Sequence, residues 1–160
     1  MIEVNIVNNG GKFVLSSNRV KEHLEDMAEI ITVSDISGVS EEKNIMLFDC
    51  KLDNLVFKFS YFDGVSYEEA DVGEEYYQML LDEIDAYLAG LTEEIQSELS
   101  ILYHVEDVRL QHKIYDLNET FSDVKFIIAV SFHKKNSDRL QEVAGAAARR
   151  QVLGRSRYFN

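Results

Sequence analysis

The chain has 160 residues, 46% of them hydrophobic and 28% charged, which is the composition of a globular protein and not of a disordered one. Its net charge of −13 opposes direct binding of DNA or RNA, because such binding depends on neutralising phosphates with lysine and arginine. The single cysteine, Cys50, excludes an intrachain disulfide and a cysteine-based zinc site, and it indicates a reducing compartment.

The first residues, Met1 to Val7, alternate polar and apolar side chains and lack the continuous apolar run of a signal peptide. No stretch of the sequence approaches the roughly 20 apolar residues of a membrane span. We therefore expect a protein of the cytoplasm, or of a virion and its host cytoplasm, with no membrane partner.

The chain opens with a predicted β-hairpin. Ile2 to Val7 alternates as a strand does, Asn8 to Gly11 is a strong turn sequence, and Lys12 to Leu15 returns as the partner strand. Ser16 or Ser17 then offers an N-cap for an amphipathic helix over residues 18–30. The apolar positions of that helix are Val20, Leu24, Met27, Ala28 and Ile31.

Residues 45–67 are the most strand-like part of the sequence. Ile45 to Phe48 and Leu55 to Tyr61 are rich in β-branched and aromatic residues, and the polar segment 51–54 between them indicates a turn. A further turn is predicted at Asp63-Gly64. These patterns predict a meander of two or three antiparallel strands.

Residues 74–103 change to a helical period. One face carries Tyr77, Leu80, Leu81, Ile84, Tyr87, Leu88 and Leu91. Gly90 followed by Thr92 predicts a break, with Thr92 capping a second helix, so we expect a long helical pair. We expect Tyr77 and Tyr87 in the core, and Tyr76 facing outward.

Two closing strands are predicted at His112 to Leu117 and Val124 to His133, before a last helix that Ser137 caps and Gly154 ends. Residues 154–160 are then a basic and aromatic tail. The fold class is therefore α+β, with N- and C-terminal helices and the helical pair packed on a mostly antiparallel sheet. Residues 1–160 are expected to form one acidic domain.

Charge is unevenly distributed along the sequence. Residues 134–160 hold seven basic side chains against two acidic ones, whereas residues 1–133 hold nine basic against 27 acidic. One interpretation is ordinary: Arg149 and Arg150 near a helix C-terminus, and acids such as Glu74 and Glu93 in first turns, are what helix dipoles favour, and solvated acidic helix faces keep proteins soluble. The other is that the acidic body and the basic end meet, within one molecule as a clamp or between molecules head to tail.

On the second interpretation, the candidate residues for binding a partner share charge or aromatic character and lie in the two regions of opposite sign. They are Glu74, Glu75, Tyr76, Asp82, Glu83, Asp85, Arg149, Arg150, Arg155, Arg157, Tyr158 and Phe159. The alanines at 144 and 146–148, around Gly145, lack bulk, which suits either packing on the sheet or close approach of another copy.

No residue pattern indicates catalysis, a cofactor or a metal. The sequence has neither a phosphate-binding glycine loop nor GxGxxG after a strand. His104 and His112 do not have the spacing of a helical ligand pair, and the acidic surroundings of Cys50 oppose a reactive thiolate. Asp82 and Asp85 lie on a polar helix face, without the burial that a catalytic pair needs.

Three functions therefore stay open, in decreasing order of support. The first is a non-enzymatic protein-interaction or assembly subunit that contacts other copies or other proteins in a larger complex, for example a viral particle. The second is a small acidic inhibitor that occupies the basic site of a nucleic-acid-handling protein as a nucleic-acid mimic. The third is an enzyme whose active-site residues are dispersed along the sequence.

Overall fold

A computed structural model of the chain describes residues 1–40, 42–53, 74–117 and 123–159. For residues 74, 76, 135, 137 and 155–159 it describes the backbone only. The described residues form six β-strands, three α-helices and two short 3₁₀ helices. All strand pairs are antiparallel, so the predicted α+β class is confirmed.

The opening hairpin is confirmed. Strand β1 (Glu3–Asn8) pairs with β2 (Gly11–Ser16), and Asn8 lies opposite Gly11. The Oδ1 atom of Asn8 accepts a hydrogen bond of 2.9 Å from the backbone N–H of Gly10. Gly11 has a φ of +124°, which L side chains rarely adopt, so the turn depends on a glycine there.

Helix α1 (Ser17–Glu25) begins as predicted, with the Ser16 Oγ accepting a bond of 3.2 Å from the N–H of Asn18. It ends at Glu25, five residues before the predicted end at residue 30. Strand β3 (Ile30–Asp35), which was not predicted, begins at residue 30. Ile31 fits the helical spacing, but it lies at an irregularity in the pairing of β3 and is 52% exposed. The predicted extension of this helix to residue 30 is therefore wrong.

A four-stranded sheet of order β3-β4-β6-β5 forms the centre of the fold. Its remaining strands are β4 (Ile45–Leu52), β5 (Arg109–Leu117) and β6 (Val124–Ser131). Strand β4 continues through Lys51 and Leu52, so these two residues do not belong to the turn that was predicted there. The predicted strand Leu55 to Tyr61 and the turn at Asp63-Gly64 lie outside the described residues.

Helix α2 (Glu74–Tyr103) runs for 30 residues without interruption, so the predicted helical pair is wrong. The hydroxyl of Thr92 donates a bond of 2.9 Å to the carbonyl of Ala89, within the helix, instead of capping a new one. Tyr87 is half-buried against the core, but Tyr77 is exposed and donates to the carbonyl of Leu117 at 3.1 Å, which corrects its predicted core position.

The end of α2 is fixed by the hairpin. His104 has a φ of 54°, and the N–H of Val105 donates to the carbonyl of Ser100 at 3.1 Å, as in a left-handed helix cap. The side chain of Asn8 donates to the carbonyl of Tyr103 at 2.8 Å, and the Tyr103 ring stacks on Phe13. Burial raises the pKa of the Tyr103 hydroxyl.

The last helix, α3 (Leu140–Phe159), follows a 3₁₀ helix at Lys134–Arg139. Ser137 lies inside that 3₁₀ helix, so the predicted cap at Ser137 is wrong. The backbone of α3 also continues through Gly154, where the helix was predicted to stop, and residues 154–159 are helical.

The central strands are buried on both faces, and alternate residues therefore reach two different cores. On one face, here called the front, Met46 and Phe48 of β4 pack in a cluster with the hairpin, α1 and α2. On the back, Ile45 and Leu47 pack against α3. The α2 residues in the front core are Leu80, Ile84, Leu88, Leu91, Ile95 and Leu99. The α3 residues in the back core are Leu140, Val143, Ala144, Ala147 and Ala148.

The carboxylate of Asp35 at the end of β3 joins α1, the start of the chain and the next turn. Its Oδ2 accepts a bond of 2.5 Å from the buried Ser17 hydroxyl, and its Oδ1 accepts one of 2.9 Å from the N–H of Ser37. The amino group of Met1 lies 3.9 Å from Oδ2. Burial alone would raise the pKa of Asp35, but these bonds and this positive charge outweigh it, so the pKa lies below its ordinary value.

We predict that Asp35→Asn destabilises the fold at neutral pH by about 1–2 kcal/mol, because it removes hydrogen bonds to a charged group. A lowered folded-state pKa means that the carboxylate stabilises the fold above its ordinary value of 3.8 and ceases to do so as pH falls through the lower value. Urea unfolding of both proteins should therefore show a gap at pH 7 that narrows as the pH is lowered step by step below 3.8. A gap that keeps the same size over this range would contradict this assignment.

We predict that Gly90→Ala stabilises the protein by about 1 kcal/mol, because glycine is costly inside a helix. A Cβ at this position meets no atom within 4 Å, so nothing offsets the gain. Gly11→Ala is the matched control, and it should destabilise, since its φ of +124° suits only glycine. Urea unfolding measures both changes. A loss of stability in Gly90→Ala would indicate that α2 is broken at this position.

Candidate interaction faces

The outward surface of α2 includes a row of exposed residues opposite its buried stripe. The spacing of three and four residues places them on one line along the helix. We call this row the α2 ridge, and its members are Glu75, Met79, Asp82, Ala86, Gly90 and Glu93. Acidic side chains thus flank a central part of the ridge in which the side chains are small.

Helix α2 as a whole carries only negative charge. Its 30 residues contain eight Asp and Glu residues and no Lys or Arg. At a rise of about 1.5 Å per residue, the helix is about 45 Å long. The front of the molecule therefore presents an acidic helix about as long as a small protein is wide.

Two carboxylates on the sides of α2 attach it to its neighbours. Asp85 lies 2.7 Å from the Nε2 of His112 on β5, and Glu98 lies 2.8 Å from the Nε2 of His23 on α1. Sequence reasoning missed both contacts. The alternation of Leu110, His112 and Ile114 along β5 was the signal for the first, because it places His112 on the front face.

Three further candidate acids lie on the surface. Glu75, Asp82 and Glu83 are exposed, and Asp82 accepts a bond of 2.8 Å from the side-chain amide of Gln78, one turn earlier. Glu74 and Tyr76 belong to the first turn of α2, but their side chains lie outside the described part of the structure.

The outward surface of α3 combines positive charge with exposed apolar side chains. Leu153 is 63% exposed and Val152 45%, and Arg149 and Arg150 beside them are exposed. The Nη1 of Arg150 donates a bond of 3.0 Å to the carbonyl of Val39, whose side chain is 61% exposed. We call these five residues the α3 patch.

Polar contacts hold α3 against the back of the sheet in this orientation. The carboxylate of Asp49 on β4 accepts a bond of 2.6 Å from the Tyr115 hydroxyl and one of 2.7 Å from the Gln151 amide. At the other end, Arg139 lies 2.6 Å from Glu42. Because these side chains bind inward, the α3 patch is left facing solvent. No sequence pattern indicated this network.

The α2 ridge and the α3 patch lie on opposite sides of the sheet. Arg149 and Arg150 form no ion pair with any carboxylate in the described part of the chain. Among the described residues, the basic end meets the acidic body within one molecule where Arg139 pairs with Glu42, and not at Arg149 or Arg150. The backbone of α3 continues through four further candidate residues, whose side chains lie outside the described part of the structure: Arg155, Arg157, Tyr158 and Phe159.

The groups that could support catalysis are dispersed or buried. Burial, followed by the charge of Asp49, raises the pKa of the Cys50 thiol well above its ordinary range, so the thiol stays protonated. His104 is exposed, whereas His112 is bound beneath α2. Within the described ranges, no three His, Cys, Asp or Glu side chains come together as metal ligands would.

Comparisons with protein-family models, with curated proteins and with solved structures find no match to this chain. Among the residues described, no helix has both the length and the apolar character needed to cross a bilayer.

Proposed function

We propose that this protein is a non-enzymatic interaction or assembly subunit, which contacts neighbouring proteins through an acidic front and a basic back. The observation that carries this proposal is the position of the α2 ridge and the α3 patch on opposite sides of the central sheet. Both are exposed, and they are opposite in charge. The neighbours are further copies of the chain or other proteins of a larger complex, for example a viral particle.

Distance supports an intermolecular role for these charges. Layers of secondary structure pack about 10 Å apart, so the axes of α2 and α3 are separated by roughly 20 Å with the sheet between them. Exposed charges are largely screened beyond the Debye length of about 8 Å at physiological salt. The two faces therefore do little to neutralise each other within one molecule, and each is available to a partner.

The ordinary explanation by helix dipoles loses support in the folded chain. Dipole effects are confined to the first and last turns of a helix. Arg149 and Arg150 lie more than two turns before the end of α3, and Glu93 lies far from either end of α2. Glu75, in the first turn of α2, is still explained by the dipole. Helix dipoles do not explain the other charges. A solvated surface that keeps the protein soluble would explain them, and so would the binding of a partner that we propose.

We predict that Arg149→Glu/Arg150→Glu releases the proteins that the wild-type chain captures when used as bait in extracts of the cells that produce it. Reversing both charges puts negative charge where an acidic partner docks. The matched control is Lys12→Glu/Arg19→Glu, which changes the net charge by the same amount at exposed residues of β2 and α1. Quantitative mass spectrometry of the bound fractions measures the loss.

The control bait should keep what the wild type binds, and raising salt from about 0.05 M to about 0.5 M should elute it, because screening weakens contacts between charges. If all three baits hold the same proteins, or none holds any, the proposed function is wrong.

The second candidate is an acidic inhibitor that imitates nucleic acid, and the absence of basic residues on α2 favours it. Charge density argues against it as the first choice. Eight carboxylates along about 45 Å give one charge per roughly 5.6 Å, whereas duplex DNA carries one per about 1.7 Å. Helix α2 alone thus reaches about a third of the charge density that a DNA-binding groove recognises.

If the protein is such an inhibitor, it should displace labelled duplex DNA from at least one of a panel of nucleases, polymerases and glycosylases. Glu75→Gln/Asp82→Asn/Glu93→Gln should then slow association with that enzyme by about tenfold or more, since steering depends on these charges. Asp85 is left unchanged because it holds His112. Unchanged association kinetics in the triple variant would exclude mimicry by the α2 ridge.

A further inference from the structure

The α3 patch has the composition of a docking surface rather than of an ordinary solvated face. An apolar centre, Leu153 with Val152, lies beside two arginines, and Val39 from the loop after β3 extends it. Arginine is enriched at protein interfaces, and the exposed apolar side chains beside it add surface that a partner can remove from water. The chemistry that fits this patch is an acidic surface that also offers some apolar contact.

The α2 ridge offers that chemistry. Met79 is 47% exposed, and the carboxylates of Asp82 and Glu93 lie on either side of the small residues Ala86 and Gly90. A Cβ on Gly90 would meet no atom within 4 Å, so no contact inside the chain requires a glycine at this position. An apolar side chain can approach the helix between the two carboxylates, where the arginines that lie beside it in the α3 patch would find partners of opposite charge.

We infer that the partner of the α3 patch is the α2 ridge of a second copy of this chain, an inference that rests on the proposed function. The ridge and the patch cannot meet within one molecule, because the sheet separates them. Charge complementarity between them is therefore satisfied only between copies. The contact joins different surfaces of the two copies, and repeated contacts of this kind produce rings or open filaments instead of two-fold dimers.

The experiment uses two charge-reversed variants of the full chain. The first, Arg149→Glu/Arg150→Glu, has a negative patch and a native ridge, and the second, Asp82→Lys/Glu93→Lys, has a positive ridge and a native patch. Each variant alone opposes like charges, so it should sediment as a monomer where the wild type associates. In an equimolar mixture both kinds of contact pair opposite charges again, so association should return.

Sedimentation velocity at about 0.05 M salt measures the assembly, with the same samples at about 0.5 M salt as the screening control. The apparent Kd for self-association should rise about tenfold or more in each single variant and recover in the mixture. Lys12→Glu/Arg19→Glu should associate as the wild type does. Damage to the fold cannot explain a recovery on mixing, and circular dichroism confirms that each variant is folded.

Three results overturn the inference, and they differ in what they mean for the proposed function. If the wild type associates but the two variants do not rescue each other, association uses another surface, and the assembly function stands. If the wild type is monomeric but its bait still captures a different protein through Arg149 and Arg150, the partner is that other protein, and the function again stands. A monomeric wild type that captures nothing ends both proposals.

Discussion

The fold depends on two central strands that are apolar on both faces. Residues 45–48 of β4 and 126–130 of β6 are fully buried, and neighbouring residues along each strand point to opposite sides of the sheet. Such strands need cover on both faces, because either face left in water would expose a row of large apolar side chains. The hairpin, α1 and α2 cover the front, and α3 covers the back. The separation of the acidic helix from the basic one is therefore a consequence of core packing, and no contact between the helices themselves is needed to maintain it.

Local patterns predicted the elements whose determinants are local. The turn residues predict the hairpin, and the capping serine predicts the start of α1. The apolar runs of β4 and β6 predict buried strands. Strand β3 was missed because its pairing is irregular between Ile30 and Thr32, which leaves Ile30 and Val33 as its buried residues. Met27, Ala28 and Ile31 continue the helical spacing of Val20 and Leu24, so the sequence pattern extended α1 into the strand. The irregularity that leaves Ile31 exposed depends on pairing with β4, which no local pattern reveals.

Helix α2 was divided in the prediction because local preferences were given more weight than the phase of the apolar stripe. Gly90 and Thr92 both favour a helix end, at a cost of about 1 kcal/mol for a glycine inside a helix. The stripe nevertheless stays in phase across them, from Leu88 through Leu91 to Ile95, and all three side chains are buried. Burying each such side chain contributes roughly 1.5–3 kcal/mol, so continuity of the helix outweighs the local preference. The sequence did contain this information, since an unbroken phase is visible without any structure.

The sequence predicts the charge of each candidate face but not its position in the fold. The sequence shows that acids concentrate in the body and arginines near the end, whereas their placement on opposite sides depends on which face of the sheet each helix covers. Exposed ion pairs contribute only about 0.2–1 kcal/mol each, so charge alone gives orientation and fast encounter more than affinity. In the proposed interface, affinity would then come from apolar contact, which the exposed side chains Leu153, Val152, Val39 and Met79 can supply. An interface built this way is weak at each contact and sensitive to salt, and it gains strength when many copies associate, which is the behaviour expected of a subunit in an assembly rather than of a tight one-to-one inhibitor.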